Sequence, residues 1–534
     1  MKMSKILSLV LVLVMIFACL VSCKKPDDNK GNEGNENALA GTYNITMWVS
    51  EKEGVAEQFQ AQIDAFEAAN PGIIINAEIE GVTEADAGSK VVADVASAPD
   101  IYCFAQDQLA RLVQASALLA PGQNATATIK AQNDAGSVAA ASVAGKVWCY
   151  PMTSDNGYYL YYDTSVITNP ESLEQIIADC EAAYAEAKAN ETTATDNYLF
   201  RFALENAWYT ASFFFATGCT STWTTREDGE FTAVQDDFNS DKGMIAMKGM
   251  QKLASSKIYD SDADKYANAA AWVTGIWNAN KAEEHFGDNF GVTDLPSFTV
   301  DGQSYHLGSY SGNKLMGVKP QADAEKAAFC SALALYLTNE ECQMERYNLV
   351  QWGPSNLAAQ QSEAVQANPS LAALAKQNAY ATPQPQIFGG WWDIAKLLGS
   401  VAKSAKSDAD LQAGLDNYKN TIDGLMALTP EQRQAFTVIG SINNSGWGTD
   451  FEMTQDAEGA WVSNDAFTLT ETDEFKVRKG FAWDVAYGDN VQNADTSIPT
   501  SNKANYKVTT PGTYYIKLVV NSDGTAEITL VPAN

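Results

Sequence analysis

The chain has 534 residues, with 35 Lys and Arg against 66 Asp and Glu and a formal net charge of −31. At roughly 100–200 residues per domain the length allows several compact units, and a hydrophobic fraction of 46% excludes wholesale disorder. An acidic balance with no basic stripe excludes nucleic acid and anionic lipid as electrostatic partners, and with only two histidines, His285 and His306, histidine-rich metal sites are not expected.

Lys2 and Lys5 precede an apolar run of 16 residues, Ile6–Val21, short for a membrane span and ending in Leu20-Val21-Ser22-Cys23. The pattern resembles the lipobox of bacterial lipoproteins. The resemblance implies a signal peptide over residues 1–22, cut before Cys23, whose thiol and amine are then acylated. The protein is expected on the extracytoplasmic face of the cell membrane, held there through lipid alone. Cys23 and a tether rich in Asn, Asp, Gly and Lys fill residues 23–42. Cys103, Cys149, Cys180, Cys219, Cys330 and Cys342 show no CxxC spacing and read as buried free thiols.

Asn44–Ser50 alternates as a strand does, and Val55, Phe59, Ile63 and Phe66 recur at helical spacing through Val55–Ala69. Asn70-Pro71-Gly72 stops that helix, and Ile73–Ile79 is a second strand, so a parallel sheet begins here. A strand follows around Asp100–Phe104, with helices at Leu109–Ala117, Ser172–Ala189, Glu325–Leu337 and Leu411–Leu425. After Phe436 the helical periods vanish. Short alternating runs at Ala466–Thr470, Glu474–Arg478, Asn505–Thr509, Thr513–Val520 and Thr525–Val531, separated by Gly, Asn and Asp, suggest a small all-β sandwich. The sequence therefore divides into an α/β body over 43–435 and a β-module over 436–534.

Catalytic and metal signatures are missing: there is no GxxxxGK[ST], HExxH or GxSxG. Asp260, Asp262 and Asp264 start like a calcium loop, but Lys265 stands where glycine is needed and Ala271 where a bidentate glutamate is needed. No cofactor, metal or catalytic residue is expected. The 12 Trp, 22 Tyr and 21 Phe are more informative. Flat aromatic rings cover the C–H faces of sugars at low entropic cost, while carboxylates accept hydroxyl hydrogen bonds.

The body resembles the maltose and maltooligosaccharide-binding proteins of bacterial ABC importers, from about Tyr43 to Asp423. The likeness is carried, in family order, by NITMWVSEKEG, FEAANPGIIINAEI, APDIYCFAQDQLARLVQASALLAP, GKVWCYPMTSDNGYYLYYD, LENAWYTASFFFATG, GIWNANKAEEHFGDNFGVTDLPSF, TNEECQMERYN and PQPQIFGGWWDIAKLL. It implies a two-lobed, periplasmic-binding-protein-like fold of type II, whose chain crosses between lobes near Thr153–Asn156 and Leu295–Gly312. Matched to the family's sugar contacts are Phe104, Asp107, Asp155, Glu205, Trp208, Trp277 and Trp391, with Trp392 beside the last. Gln108 replaces a family arginine, while Trp48, Trp148, Trp223, Trp272 and Trp352 read as core. The module resembles the starch-binding β-sandwiches of amylases and surface lipoproteins through GWGTDFEM, AWVSNDAFTLT, EFKVRKGFAWDVAYG and GTYYIKLVV. Trp447, Trp483 and Tyr487 are its candidate platform, and Trp461 reads as core.

Together these features point to a lipid-anchored, monomeric, non-enzymatic binder of maltooligosaccharides and starch, serving an ABC permease heterodimer with its ATPase. A surface α-glucanase and a starch adhesin are the alternatives. Against the first, the body shows neither eight βα repeats nor histidine-bearing barrel ends.

Overall fold

The structure is a computed structural model that describes residues 39–262, 265–388, 390–445, 449–481, 485–488, 505–521 and 526–533. The signal segment, Cys23, Trp447 and Trp483 lie outside the described residues. Leu39, the first described residue, is buried and its carbonyl accepts the Tyr43 hydroxyl at 3.1 Å.

Strand β1, Gly41–Val49, turns Tyr43, Ile45, Met47 and Val49 inward and Thr42, Asn44 and Thr46 outward. Helix α1, Val55–Ala69, buries Val55, Phe59, Ile63 and Phe66, the stripe its spacing predicts. Gly72, with φ +92°, reverses the chain into strand β2, Ile73–Gly81, which runs parallel to β1. The first lobe is a five-stranded sheet in the order β2, β1, Ile101–Ala105, Lys314–Val318, Tyr150–Pro151. The second lobe's sheet runs Tyr259–Asp260, Leu199–Arg201, Ala269–Gly275, Tyr158–Asp163, Phe290–Thr293. Central strands Lys314–Val318 and Ala269–Gly275 are buried throughout, because helices cover both faces of each sheet.

The chain crosses between lobes at both expected places, and a third link accompanies them. In the first crossing Asn156 donates its amide to Gly312 of the second, at 3.0 Å. On its other side, Ser154 donates to the Gly353 carbonyl at 2.9 Å, and Thr153 forms a bridge with Pro354. From there the chain returns to the first lobe and finally leaves it at Asn368. Asn368 caps helix Pro369–Gln377, which packs on strands Tyr158–Asp163 and Phe290–Thr293 of the second lobe. Three chain segments thus lie side by side at the junction.

Beyond helix Asp408–Ala427, the region from Phe436 forms a nine-stranded sheet whose strand pairs are all antiparallel. It closes over its own core of Phe436, Val438, Phe467, Phe475, Ile516 and Leu518, consistent with a small β-sandwich. Arg433, just before it, donates to the Phe231 carbonyl of the second lobe at 3.0 Å.

The six described cysteines are unpaired and buried. Burial pushes the Cys330 and Cys342 thiols up to about 12, so little thiolate forms at neutral pH. A disulfide-exchange reagent added to the folded protein is expected to modify none of these six thiols, and all of them after unfolding in guanidinium. Rapid reaction of the native protein at any of these positions would contradict the packing described.

Candidate functional site

Asp155 stands at the centre of the junction. It is fully buried, and its Oδ2 accepts the Gly353 amide at 2.6 Å, tying the first crossing to the segment before the third link. A Cβ on Gly353 would come within 2.9 Å of Asp155 Cβ, so this approach needs glycine. Burial raises the pKa of Asp155, opposed first by the Lys314 ammonium. Lys314 itself lies over the Trp352 ring, 3.8 Å from its centroid. Lys52, from the loop after β1, donates to the Trp277 carbonyl of the second lobe. Burial and Lys314 push Lys52 down to about 7, while Glu84 and Asp155 pull the other way.

Trp277 lies in the 3-10 turn Ile276–Asn278 that follows strand Ala269–Gly275, and its ring lies over backbone where a Cβ on Gly275 would meet it at 2.2 Å. Trp208 occupies the first turn of helix Ala207–Ala216, fixed by Asn206, whose side chain accepts its amide at 3.0 Å. The Trp208 carbonyl accepts the Tyr158 hydroxyl at 2.8 Å, and its ring lies 6.3 Å from Trp392. Trp392 Nε1 donates to Asp107 Oδ2 at 3.2 Å, a bond from the second lobe to the first. Beside it, Gln106 Nε2 reaches the Gln384 carbonyl at 2.5 Å and the Ala110 amide reaches Gln386 Oε1 at 2.8 Å. Trp208, Trp277 and Trp392 are all half-buried.

The structure therefore brings together Asp107, Asp155, Trp208, Trp277 and Trp392 around the junction. Two expected contacts in the cleft need correction. Trp391 is fully buried, its Nε1 bonded to the Tyr418 hydroxyl at 2.9 Å and its ring edge-on to Phe238, so it has no face open to a ligand. Its neighbour Trp392 is half-buried and keeps part of its ring open. Phe104 is likewise fully buried, in first-lobe core beside Tyr102. Glu205 is half-buried and pairs with Lys403 at 3.2 Å, which leaves its expected contact as it stood. Gln108, in place of the arginine, is buried and accepts the Gly88 amide at 2.5 Å, which holds helix Glu84–Ala93 to the lobe. In the module Tyr487 is 7% exposed and packs on Phe436, which makes it core and not a platform. Of the tryptophans read as core, Trp223, Trp272 and Trp352 are buried, whereas Trp48 and Trp148 are half-buried.

Sequence reasoning passed over Lys52, Lys314, Tyr158 and Tyr310. Among the buried polar atoms without a partner are Asp155 Oδ1, Tyr310 Oη, Ser309 Oγ, Gln384 Oε1 and Trp352 Nε1, all from segments at or beside the junction. An unmet buried donor or acceptor costs about 1–3 kcal/mol. A ligand rich in hydroxyls would meet both the unpaired polar atoms and the half-buried ring faces.

The chain belongs to the bacterial extracellular solute-binding proteins, whose family model matches residues 61–373, more than half its length. No curated protein matches it. A solved structure holding acarbose is 26% identical, with 72% of this chain and 100% of that one aligned at a TM-score of 0.61. The ligand-free maltodextrin-binding protein MalE1 of L. casei BL23 is 21% identical over 72% of this chain and 99% of its own, at 0.60. The MalE domain of Bdellovibrio bacteriovorus bound to maltotriose is 20% identical over 71% and 100%, at 0.58. These similarities agree with the two-lobed fold.

The depressed pKa of Lys52 has a consequence for stability. Between about pH 7 and pH 10.5 the unfolded chain carries a proton that the folded site has lost, so stability rises with pH over that window; below about 7 both states are protonated, and the cost of the buried ammonium is full and no longer varies with pH. Urea unfolding from neutral to mildly alkaline pH is expected to show a shallower rise for Lys52→Met than for the wild type. Equal slopes would mean that Lys52 is not held in this setting.

Proposed function

We propose that this protein is an extracytoplasmic receptor that captures maltooligosaccharides and passes them unaltered to an ABC importer, a permease heterodimer with its ATPase. The observation that carries the reading is the meeting of Trp208, Trp277 and Trp392 of one lobe with Asp107 and Lys52 of the other, around the buried Asp155. Indole faces suit the apolar C–H surface of a glucose ring, and the carboxylates accept its hydroxyls. The proteins in the compared structures bind acarbose, maltodextrin or maltotriose, which supports an α-glucan fragment as the solute. Because both lobes supply contacts, the sugar would favour the closed arrangement by hinge motion about the linked crossings.

The reading extends to the parts outside the junction. A signal peptide over residues 1–22 is removed, Cys23 carries lipid, and residues 23–42 tether a solute-binding domain over 43–435. The module over 436–534 holds starch through Trp447 and Trp483. A closing cleft takes only a short oligosaccharide, while an open β-face has no such limit. Joining the two on one anchored chain would hold the cleft where starch fragments are concentrated, a gain in effective concentration.

Calorimetric titration with maltotriose tests the cleft. Trp277→Ala and Trp392→Ala are each expected to weaken binding about tenfold or more, that is by roughly 1.4 kcal/mol or more, with folding retained. Heat-silent titrations of the wild type, or unaltered affinity in both variants, would overturn the reading. For the module, a chain ending at Ala435 should keep its maltotriose affinity and cease to co-sediment with insoluble starch. Equal pelleting of the shortened and full-length proteins would remove the starch role from the module.

A further inference from the structure

Tyr310 lies in strand Ser309–Ser311, inside the second crossing, and its backbone is held on two sides. The strand runs parallel to Ala381–Pro383 with Tyr310 opposite Thr382, and a Cβ on Gly157 would meet the Tyr310 carbonyl at 3.0 Å. The ring lies nearly parallel to Trp208, with centroids 5.0 Å apart and planes at 20°. Phe215 closes one edge at 4.8 Å, and Trp392 stands edge-on at 6.0 Å. Tyr310 is 1% exposed.

That placement decides what Trp208 can offer. An aromatic face accepts one flat partner in van der Waals contact, and Tyr310 already takes that position on one side of the indole. A pyranose ring stacking on the same side would need the same volume. The surroundings of the ring are also polar: the hydroxyls of Tyr310 and Ser309 and the side-chain Oε1 of Gln384 are buried without partners. Gln384 is pinned beside the strand by its amide bond to the Ser311 carbonyl, at 2.8 Å. Such atoms suit the hydroxyls of a terminal sugar, which an internal unit of the chain would not present in the same way.

We propose that Tyr310 closes one end of the oligosaccharide groove, taking the place of a glucose ring against Trp208 and so limiting the length of chain the cleft accepts. The inference rests on the sugar-binding reading above. Tyr310 is a specificity-determining residue here, and its effect lies in the ranking of ligands by length.

The test is a calorimetric comparison of maltotriose and maltoheptaose with the full-length wild type, Tyr310→Phe and Tyr310→Ala. Removing the ring opens a slot walled by Trp208, Trp392 and Phe215. The ratio of maltoheptaose to maltotriose affinity is expected to rise about tenfold in Tyr310→Ala, and to stay within about threefold of wild type in Tyr310→Phe, which keeps the ring. If the wild type binds both sugars and the ratio in folded Tyr310→Ala is unaltered, Tyr310 does not end the groove, while the sugar reading stands. If the wild type binds neither sugar, the sugar reading fails and this inference with it. Should Tyr310→Ala not fold, Tyr310→Leu keeps apolar volume without a flat ring: the same shift supports the proposal, and an unaltered ratio overturns it.

Discussion

The bond from the Gly353 amide to Asp155 Oδ2 is the constraint on which the rest of the structure depends. It joins segments 198 residues apart, inside a junction closed to water, and it places the first crossing between two others. Removing one partner from such a bond leaves a buried polar group unmet, which costs more than the bond contributes on balance. A buried carboxylate also carries a desolvation penalty. Lys314 and Lys52 offset it, and Lys52 also reaches across to the Trp277 carbonyl of the second lobe. The groups that hold the hinge and the groups that would receive a ligand therefore form one cluster. Moving one lobe against the other alters the setting of Lys52, Asp107 and Trp392 together.

The tryptophans divide according to what their indole N–H can reach. Trp391 finds Tyr418, which in turn donates to Asp236 at 2.6 Å, and so belongs to the second lobe's interior. Trp392, one residue on, finds a carboxylate of the other lobe and keeps part of its ring open. Trp208 gives one face to Tyr310 and an edge-on contact to Tyr158, and remains half-buried. The proposed sugar platform would need this compromise, with enough contact to fix the ring and enough exposure to receive a ligand.

Much of the architecture is legible in the sequence because local pattern decides it. Helix Val55–Ala69 matches its predicted span residue for residue, since its stripe and its stop signal agree. Ala269–Gly275 shows no period because both of its faces are covered, and an Ala-rich run of that kind does not announce a strand. Family likeness brings the right stretch of sequence to the junction, but it cannot say which of two adjacent tryptophans faces inward. A helix turns about 100° per residue, and the tertiary partner settles the matter. Tyr310, between two serines, shows no sequence signal at all. Its placement comes from a ring stack with a residue 102 positions earlier in the chain. The buried Tyr487 shows the converse: its Tyr-Gly ending looks like a platform motif, yet the side chain fills the module's core.

Hydrogen–deuterium exchange of the full-length protein, with and without saturating maltotriose, tests the central claim most directly. It reads both lobes and the module in one experiment. Binding at the lobe junction predicts slower exchange on both sides at once, around Lys52–Gly54 in the first lobe and around Gly275–Asn278 and Ala207–Thr210 in the second, with Phe436–Gly440 unaltered. Protection confined to the module, or no change at the junction under saturating sugar, would contradict the account.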